Sequence, residues 1–354
     1  MMFRKVSLTI FIFAFFSIAF AQSGRVKPSE TPSPMPNPRV VYIPTQTKSE
    51  TPKPKTTPMP PKIEEDEGDV ISVDSTLVPI PVSVIDAGGQ AVTNLKLENF
   101  ELQIDRKPAE ISEFSRSDTP VRLALLFDNS SSVTLAREFE KKAAVRFFKR
   151  VLRPEVDLAA LYSVQTGTRL EQPLTKNVSQ LTSAIENFPI PAGATALLDG
   201  IITAAEYLKT EQGRRVIVIV SDGEDTISDA TFEDTVKAVQ ARNCQIYVVK
   251  TKDFENFKRT GQRGGNANIR ALSAEHRMQE LAAQTGGAVY SPIDERELDQ
   301  AFTQISADLS QQYILSYYPE NLDKIGQFRT ISLNVKGREN LTVRTRKGYY
   351  VLKK

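Results

Sequence analysis

The chain has 354 residues, 40% of them hydrophobic and 25% charged, with a formal net charge of +2. That composition is globular, and the length suggests about two domains. The near-neutral balance argues against a nucleic-acid binder, whose affinity rests on a dense cationic surface.

Met1-Met2-Phe3-Arg4-Lys5 is a cationic start, Val6 to Phe20 an apolar run, and Ala19-Phe20-Ala21 a small-residue end. This pattern predicts a secretory signal peptide over 1–21, with the mature chain beginning near Gln22. The apolar run is shorter than the ~20 residues that span a bilayer comfortably. An uncleaved anchor is the alternative; after cleavage no stable membrane insertion is expected. Residues 22–69 are crowded with Pro, Thr, Ser and Lys and read as an extended spacer.

A small β-module is predicted over 70–117. Val78, Ile80, Val82 and Val84 alternate, and Pro79 and Pro81 place that strand at an edge because they cannot donate to a ladder. Phe100 to Ile104 alternates again. So few strands need packing on something else for stability.

Residues 118–310 alternate strands and helices. Val121 to Phe127 is a buried strand, followed by a helix with Leu135, Phe139, Ala143, Phe147 and Val151 on one face. Val156–Val164, Val216–Val220, Gln245–Val249 and Ala288–Tyr290 are further strands. Asn177–Phe188, Leu197–Leu208, Asp229–Arg242, Ile269–Gln284 and Asp294–Leu309 are helices. The pattern predicts an α/β fold with a mostly parallel sheet covered on both faces. Lys258 to Arg270, basic and glycine-rich, reads as a solvated loop. Cys244, the only cysteine, reads as a small buried hydrophobe on a strand. His276, the only histidine, reads as a surface residue of a polar helix, which rules out a multi-histidine zinc site. The tail, 311–354, is β again and is expected to pack with the β-module.

In such sheets ligands bind outside the carboxyl ends of the strands. One strand ends in Asp128-Asn129-Ser130-Ser131-Ser132, another in Ser221-Asp222-Gly223-Glu224-Asp225; Gly193-Ala194-Thr195-Ala196-Leu197 precedes a helix. Asp128 and Asp222 supply carboxylates, and Ser130, Ser132 and Thr195 supply hydroxyls. Oxygen donors of this kind suit a hard cation such as Mg²⁺. Glu224 and Asp225 read as rim residues or caps of the next helix, and Asp199 as a first-turn charge favoured by the helix dipole.

The D-x-S-x-S run, the later threonine and the S-D-G strand end resemble the metal-ion-dependent adhesion site of von Willebrand factor type A domains. The similarity covers about Pro120 to Leu309. It implies a Rossmann-like, doubly wound sheet with the small β-module flanking it, and a Mg²⁺ ion (or Mn²⁺ or Ca²⁺). That ion would be held by Asp128, Ser130, Ser132, Thr195 and Asp222. The export signal, the β-module ahead, the Gln312–Pro319 segment and the Arg346–Tyr350 ending resemble bacterial type A-related proteins. One departure stands out: the family commonly has glycine where this chain has Ser131, which would strain the loop if positive φ were needed.

Three functions compete. The first is an exported, periplasmic or extracellular bacterial module whose metal engages an acidic side chain of a partner protein. The second is a structural envelope component in which the metal only orders loops. The third is a metal-dependent hydrolase, for which the sequence offers no histidine cluster and no additional paired carboxylates near the site. The expected protein is therefore not an enzyme.

Overall fold

The computed structural model describes residues 77–116, 119–131, 137–262, 269–319 and 325–351. All of these residues fall within one compact unit, Ile71–Lys354. The expected signal peptide and spacer, together with Ser132, lie outside the described residues.

The described part opens with β1 (Val78–Ile85), β2 (Phe100–Ile104), β3 (Lys107–Ala109) and β4 (Glu113–Arg116). The α/β region follows as β5 (Val121–Asp128), α1 (Arg137–Val151), β6 (Leu158–Val164), β7 (Thr168–Thr175), α2 (Val178–Glu186), α3 (Leu197–Leu208), β8 (Arg214–Ser221), α4 (Phe232–Ala241), β9 (Cys244–Lys250), α5 (Lys252–Thr260), α6 (Ile269–Thr285), β10 (Val289–Tyr290) and α7 (Glu295–Gln311). The chain ends in β11 (Tyr313–Tyr317), β12 (Phe328–Val335), β13 (Thr342–Thr345) and β14 (Gly348–Tyr350).

The central sheet has the order β10-β9-β8-β5-β6-β7. All its pairs are parallel except β6 with β7. Alternation along the strands splits the core into two faces. Leu123, Leu125, Phe127, Val216, Val218 and Val220 pack against α1, α2 and α7, where Phe147 stacks on Phe302 at 4.8 Å. Ala124, Leu126, Ile217 and Ile219 face Ile201, Ala205 and Leu208 of α3 and Leu281 of α6. Cys244 is buried, which pushes its thiol up to about 12.

Two elements of the α/β region depart from the sequence reading. β7 is an antiparallel edge strand; Pro173 sits in it, as prolines do at edges. α5 occupies residues given no element in the sequence reading together with the start of the expected loop, so Lys258 and Arg259 close a helix that stops at Gly261 with φ 69°. Its sequence, KDFENFKRT, has only two apolar residues, Phe254 and Phe257, but they stand at helical i,i+3 spacing.

β9 and β10 pack closely at Gly287, where an added Cβ would lie 1.7 Å from the Ile246 carbonyl oxygen. Gly287→Ala is expected to cost about 3 kcal/mol, because backbone cannot yield as a side chain does. Chemical denaturation checks this, and an unchanged midpoint would count against so close an approach.

The flanking strands form two antiparallel sheets, β13-β1-β11-β4 and β14-β12-β2-β3. Between them lies a core of Ile80, Val82, Leu102, Ile104, Tyr313, Leu315, Ile331 and Tyr349. Tyr313 contacts Phe100 edge-on at 5.3 Å and stacks on Phe114 at 5.6 Å. β1 is not an edge strand, since it pairs with β11 on one side and β13 on the other. Its prolines are nonetheless accommodated. β13 joins only at Val82–Ile85, so the half bearing Pro79 and Pro81 has no strand on its second side. There the Pro81 carbonyl accepts the Thr345 hydroxyl at 3.0 Å and the Pro79 carbonyl accepts Arg346 Nη2 at 2.6 Å.

Candidate metal centre

From β5 the chain moves to β6 on one side and later returns to β8 on the other. The switch in strand order therefore falls between β5 and β8, where a crevice opens at the carboxyl ends. Asp128 ends β5, and Asp222 follows Ser221, the last residue of β8. The parallel register sets Phe127 beside Val220.

Asp128 Oδ1 accepts the Ser130 N–H at 2.9 Å, and its Oδ2 accepts the Ser221 hydroxyl at 2.6 Å. Asp222 Oδ1 accepts the Glu224 N–H at 2.9 Å, and Gly223 turns the chain there with φ 82°. Backbone bonds lace the loops together. The Asn129 carbonyl accepts the Ala192 N–H at 3.1 Å, and the Thr195 carbonyl accepts the Thr226 N–H at 2.9 Å. Asp128, Ser130, Thr195 and Asp222 are thus gathered at one edge, none more than 4% exposed. Asn129 faces another way, with its side chain on Arg137 and, at 3.2 Å, on the Pro189 carbonyl.

Ser131 does not adopt positive φ, so the departure from glycine introduces no left-handed strain. Its hydroxyl donates to the Gly193 carbonyl at 2.9 Å, adding one more tie between loops. Asp199 lies in the first turn of α3 and also accepts the N–H groups of Asp229 and Ala230, both at 3.0 Å. Asp225 caps α3 rather than the following helix. Ala196, at the N-cap, has no side-chain acceptor, and Asp225 Oδ1 takes the Leu197 and Leu198 N–H groups at 2.8 and 3.2 Å. His276 is exposed on α6.

Sequence reasoning missed three charged groups. Glu140 of α1 and Glu255 of α5 are buried, and both feel the charges of Asp128 and Asp222. This corrects the expectation that no further carboxylates stand near the site. Lys252 Nζ lies 3.2 Å from Glu224 and 3.8 Å from Asp222. Burial works to lower its pKa, but the Asp222 charge and the Glu224 bond hold it above the ordinary value. The overlooked signal was position: Lys252 follows the carboxyl end of β9, an apolar strand like β5 and β8.

Burial, and then the Asp222 charge, push the Asp128 carboxyl up to about 6. The same two causes push Glu255 up to about 7. Glu140 is raised well above the usual carboxylate range by burial and by the Glu255 charge, and its Oε1 has no hydrogen-bond partner. Carboxylates that destabilise one another in a dry pocket are stabilised by a bound cation. With serine and threonine oxygens beside them, the residues fit a hard divalent ion.

Fold and strand-end site together define an α/β domain built to present a loop cluster at its switch point. Residues 123–224 match the family model of the von Willebrand factor type A domain, and the chain carries a domain of that family. No curated protein matches the chain. Among solved structures it is similar to BatB from Bacteroides thetaiotaomicron, at 17% identity over 53% of this chain and 98% of that one, with a TM-score of 0.42. An aerotolerance-related membrane protein from Bacteroides fragilis NCTC 9343 is similar at 20% identity, 52% and 98% coverage and a TM-score of 0.40. The PilB minor pilin from Streptococcus sanguinis is similar at 13% identity with a TM-score of 0.42; 55% of this chain covers 62% of the pilin, less than two thirds of its length. Among the described residues no helix is long and apolar enough to cross a membrane.

Proposed function

We propose that the domain is an exported protein-binding module, adhesive or complex-assembling, that works through a divalent cation rather than by catalysis. Asp128, Ser130, Thr195 and Asp222, with Ser132, would hold Mg²⁺ or a related ion. Bound there, the ion supplies a Lewis-acidic position that accepts a carboxylate oxygen from a partner protein. The observation carrying this reading is the pair of buried strand-end carboxylates, Asp128 and Asp222, which repel each other beside hydroxyl-bearing residues.

The chain's own residues prepare that position. Ser221 and the Ser130 N–H fix the Asp128 carboxylate, and the Glu224 N–H fixes Asp222. Glu140 and Glu255 stand close behind the pair, where a bound cation would favour their ionised forms. Both are buried, so neither presents a carboxylate to a substrate as a hydrolytic base. The loops already hold one another through backbone bonds and the Ser131 hydroxyl. That lacing favours capture of a partner over a metal that merely orders loops.

The test is a pull-down from bacterial envelope extract with the immobilised chain, in magnesium and then in chelator. Partner capture is expected only with the metal. Capture that survives the chelator would sink the reading.

A further inference from the structure

At the end of the parallel sheet opposite the candidate metal centre, β8 and β9 begin against the proline half of β1. A cavity of about 430 Å³ lies there, bordered by Pro79, Pro81, Arg214, Arg215, Gln245 and Arg346. Among the described residues its lining includes three arginines and not one Asp or Glu. Exposed Gln212 and Gly213 stand at its border. The volume lies within the range of small-molecule sites, about 300–1,000 Å³, and exceeds what a bare inorganic ion fills.

The charge balance of this cavity is unusual. Arg346 is only 7% exposed. Its Nη1 bonds the Asn243 side chain, its Nη2 the Pro79 carbonyl, and it lies 5.6 Å from the Tyr349 ring centre. Its buried Nε has no hydrogen-bond partner. Arg215 donates to two carbonyls, those of Glu211 at 3.1 Å and Arg242 at 2.8 Å. Among the described residues, no ion pair includes Arg215 or Arg346. A buried cation without a counter-charge is costly, and proteins normally pair it. Burial pulls the Arg346 guanidinium down to about 10, so it stays charged at neutral pH. Gln245 Oε1, also on the lining, is a second buried atom without a partner.

We propose that this cavity binds a small organic anion, with its carboxylate or phosphate head on Arg346 and Arg215 and its apolar body along Pro79, Pro81 and Ile314. A guanidinium offers planar, forked donors that match either head group. The site is separate from the candidate metal centre and does not depend on it.

The test uses the full chain without divalent metal, at matched ionic strength in chloride. Benzoate and phenyl phosphate serve as anionic probes, benzyl alcohol as the uncharged one and inorganic phosphate as the head group alone. Calorimetric titration is expected to show binding of benzoate, phenyl phosphate or both, with the preferred head group distinguishing carboxylate from phosphate. Binding should weaken about tenfold or more in Arg346→Lys, which keeps charge but loses the fork. Arg215→Gln, at a half-buried position, is a second variant should Arg346→Lys fail to fold, and should weaken binding likewise. Asp128→Ala should leave the binding unchanged. Failure of both anions to bind, equal affinity in Arg215→Gln, or benzyl alcohol binding as tightly would overturn the proposal.

Discussion

Asp128→Ala is expected to abolish the stabilisation that magnesium gives the native protein at pH 7.5. A ligand that binds only the native state at a hundredfold excess over its Kd stabilises by about 2.7 kcal/mol. For a domain of this size that raises Tm by roughly 5–10 °C. The variant removes one of the two strand-end carboxylates and, with it, the acceptor for the Ser130 N–H and the Ser221 hydroxyl. Asp128→Asn separates these roles, because its amide oxygen still accepts one hydrogen bond while the charge is gone. Both variants should show no magnesium shift by calorimetry. Should Asp128→Asn keep the full shift, the ion is not held by this carboxylate. The wild-type shift should also fade with acid, because protons compete for a carboxyl that titrates at about 6.

The sheet was legible because burial on both faces leaves almost uninterrupted apolar runs. Val121–Phe127 and Val216–Val220 are both central strands of the sheet. β7 was missed because an edge strand faces solvent and carries polar residues at most positions. The pairing of β1 with strands more than two hundred residues later has no local signature, although its prolines marked the half without a second neighbour.

The gathering of Asp128, Ser130, Thr195 and Asp222 at one sheet edge was legible because Asp128 and Asp222 fall at the carboxyl ends of apolar strands and Thr195 just before a helix. Glu140 was not, since it lies in the first turn of α1, in a segment whose apolar stripe supplied all the readable information. An acidic residue among lysines looks like solvated surface in sequence, and only packing shows it beneath the loops. Asp225 was read as a rim residue or a cap of the next helix, because caps are normally local. Its actual target, α3, precedes it by 28 positions and comes near only through the sheet. Ser131 was a concern only on the premise of positive φ, which the backbone does not adopt.

Glu140→Gln is expected to make the metal-free protein more stable at neutral pH. Glu140 is fully buried, faces Glu255, Asp128 and Asp222, and has one oxygen without a partner. Its folded pKa lies above its unfolded value, ordinarily near 4.3. Between those two values the unfolded chain releases the proton while the native chain keeps it, so stability falls as pH rises. Asp128, at about 6, and Glu255, at about 7, act in the same direction. Metal-free wild type should therefore lose stability steadily from about pH 4 to pH 7. Glutamine does not ionise and removes one share of that loss. The gain should be about 1–2 kcal/mol at pH 7, in line with replacing a buried charge by a neutral isostere, and close to zero at pH 4. Urea denaturation at the two pH values measures it. With magnesium present the difference should narrow, because the ion's charge favours the ionised Glu140 and offsets its penalty, a gain the neutral glutamine does not share. Equal stability of the two proteins at pH 7 without metal would mean that Glu140 carries no ionisation penalty, and the reading of this pocket as a cation-seeking one would lose its principal electrostatic support.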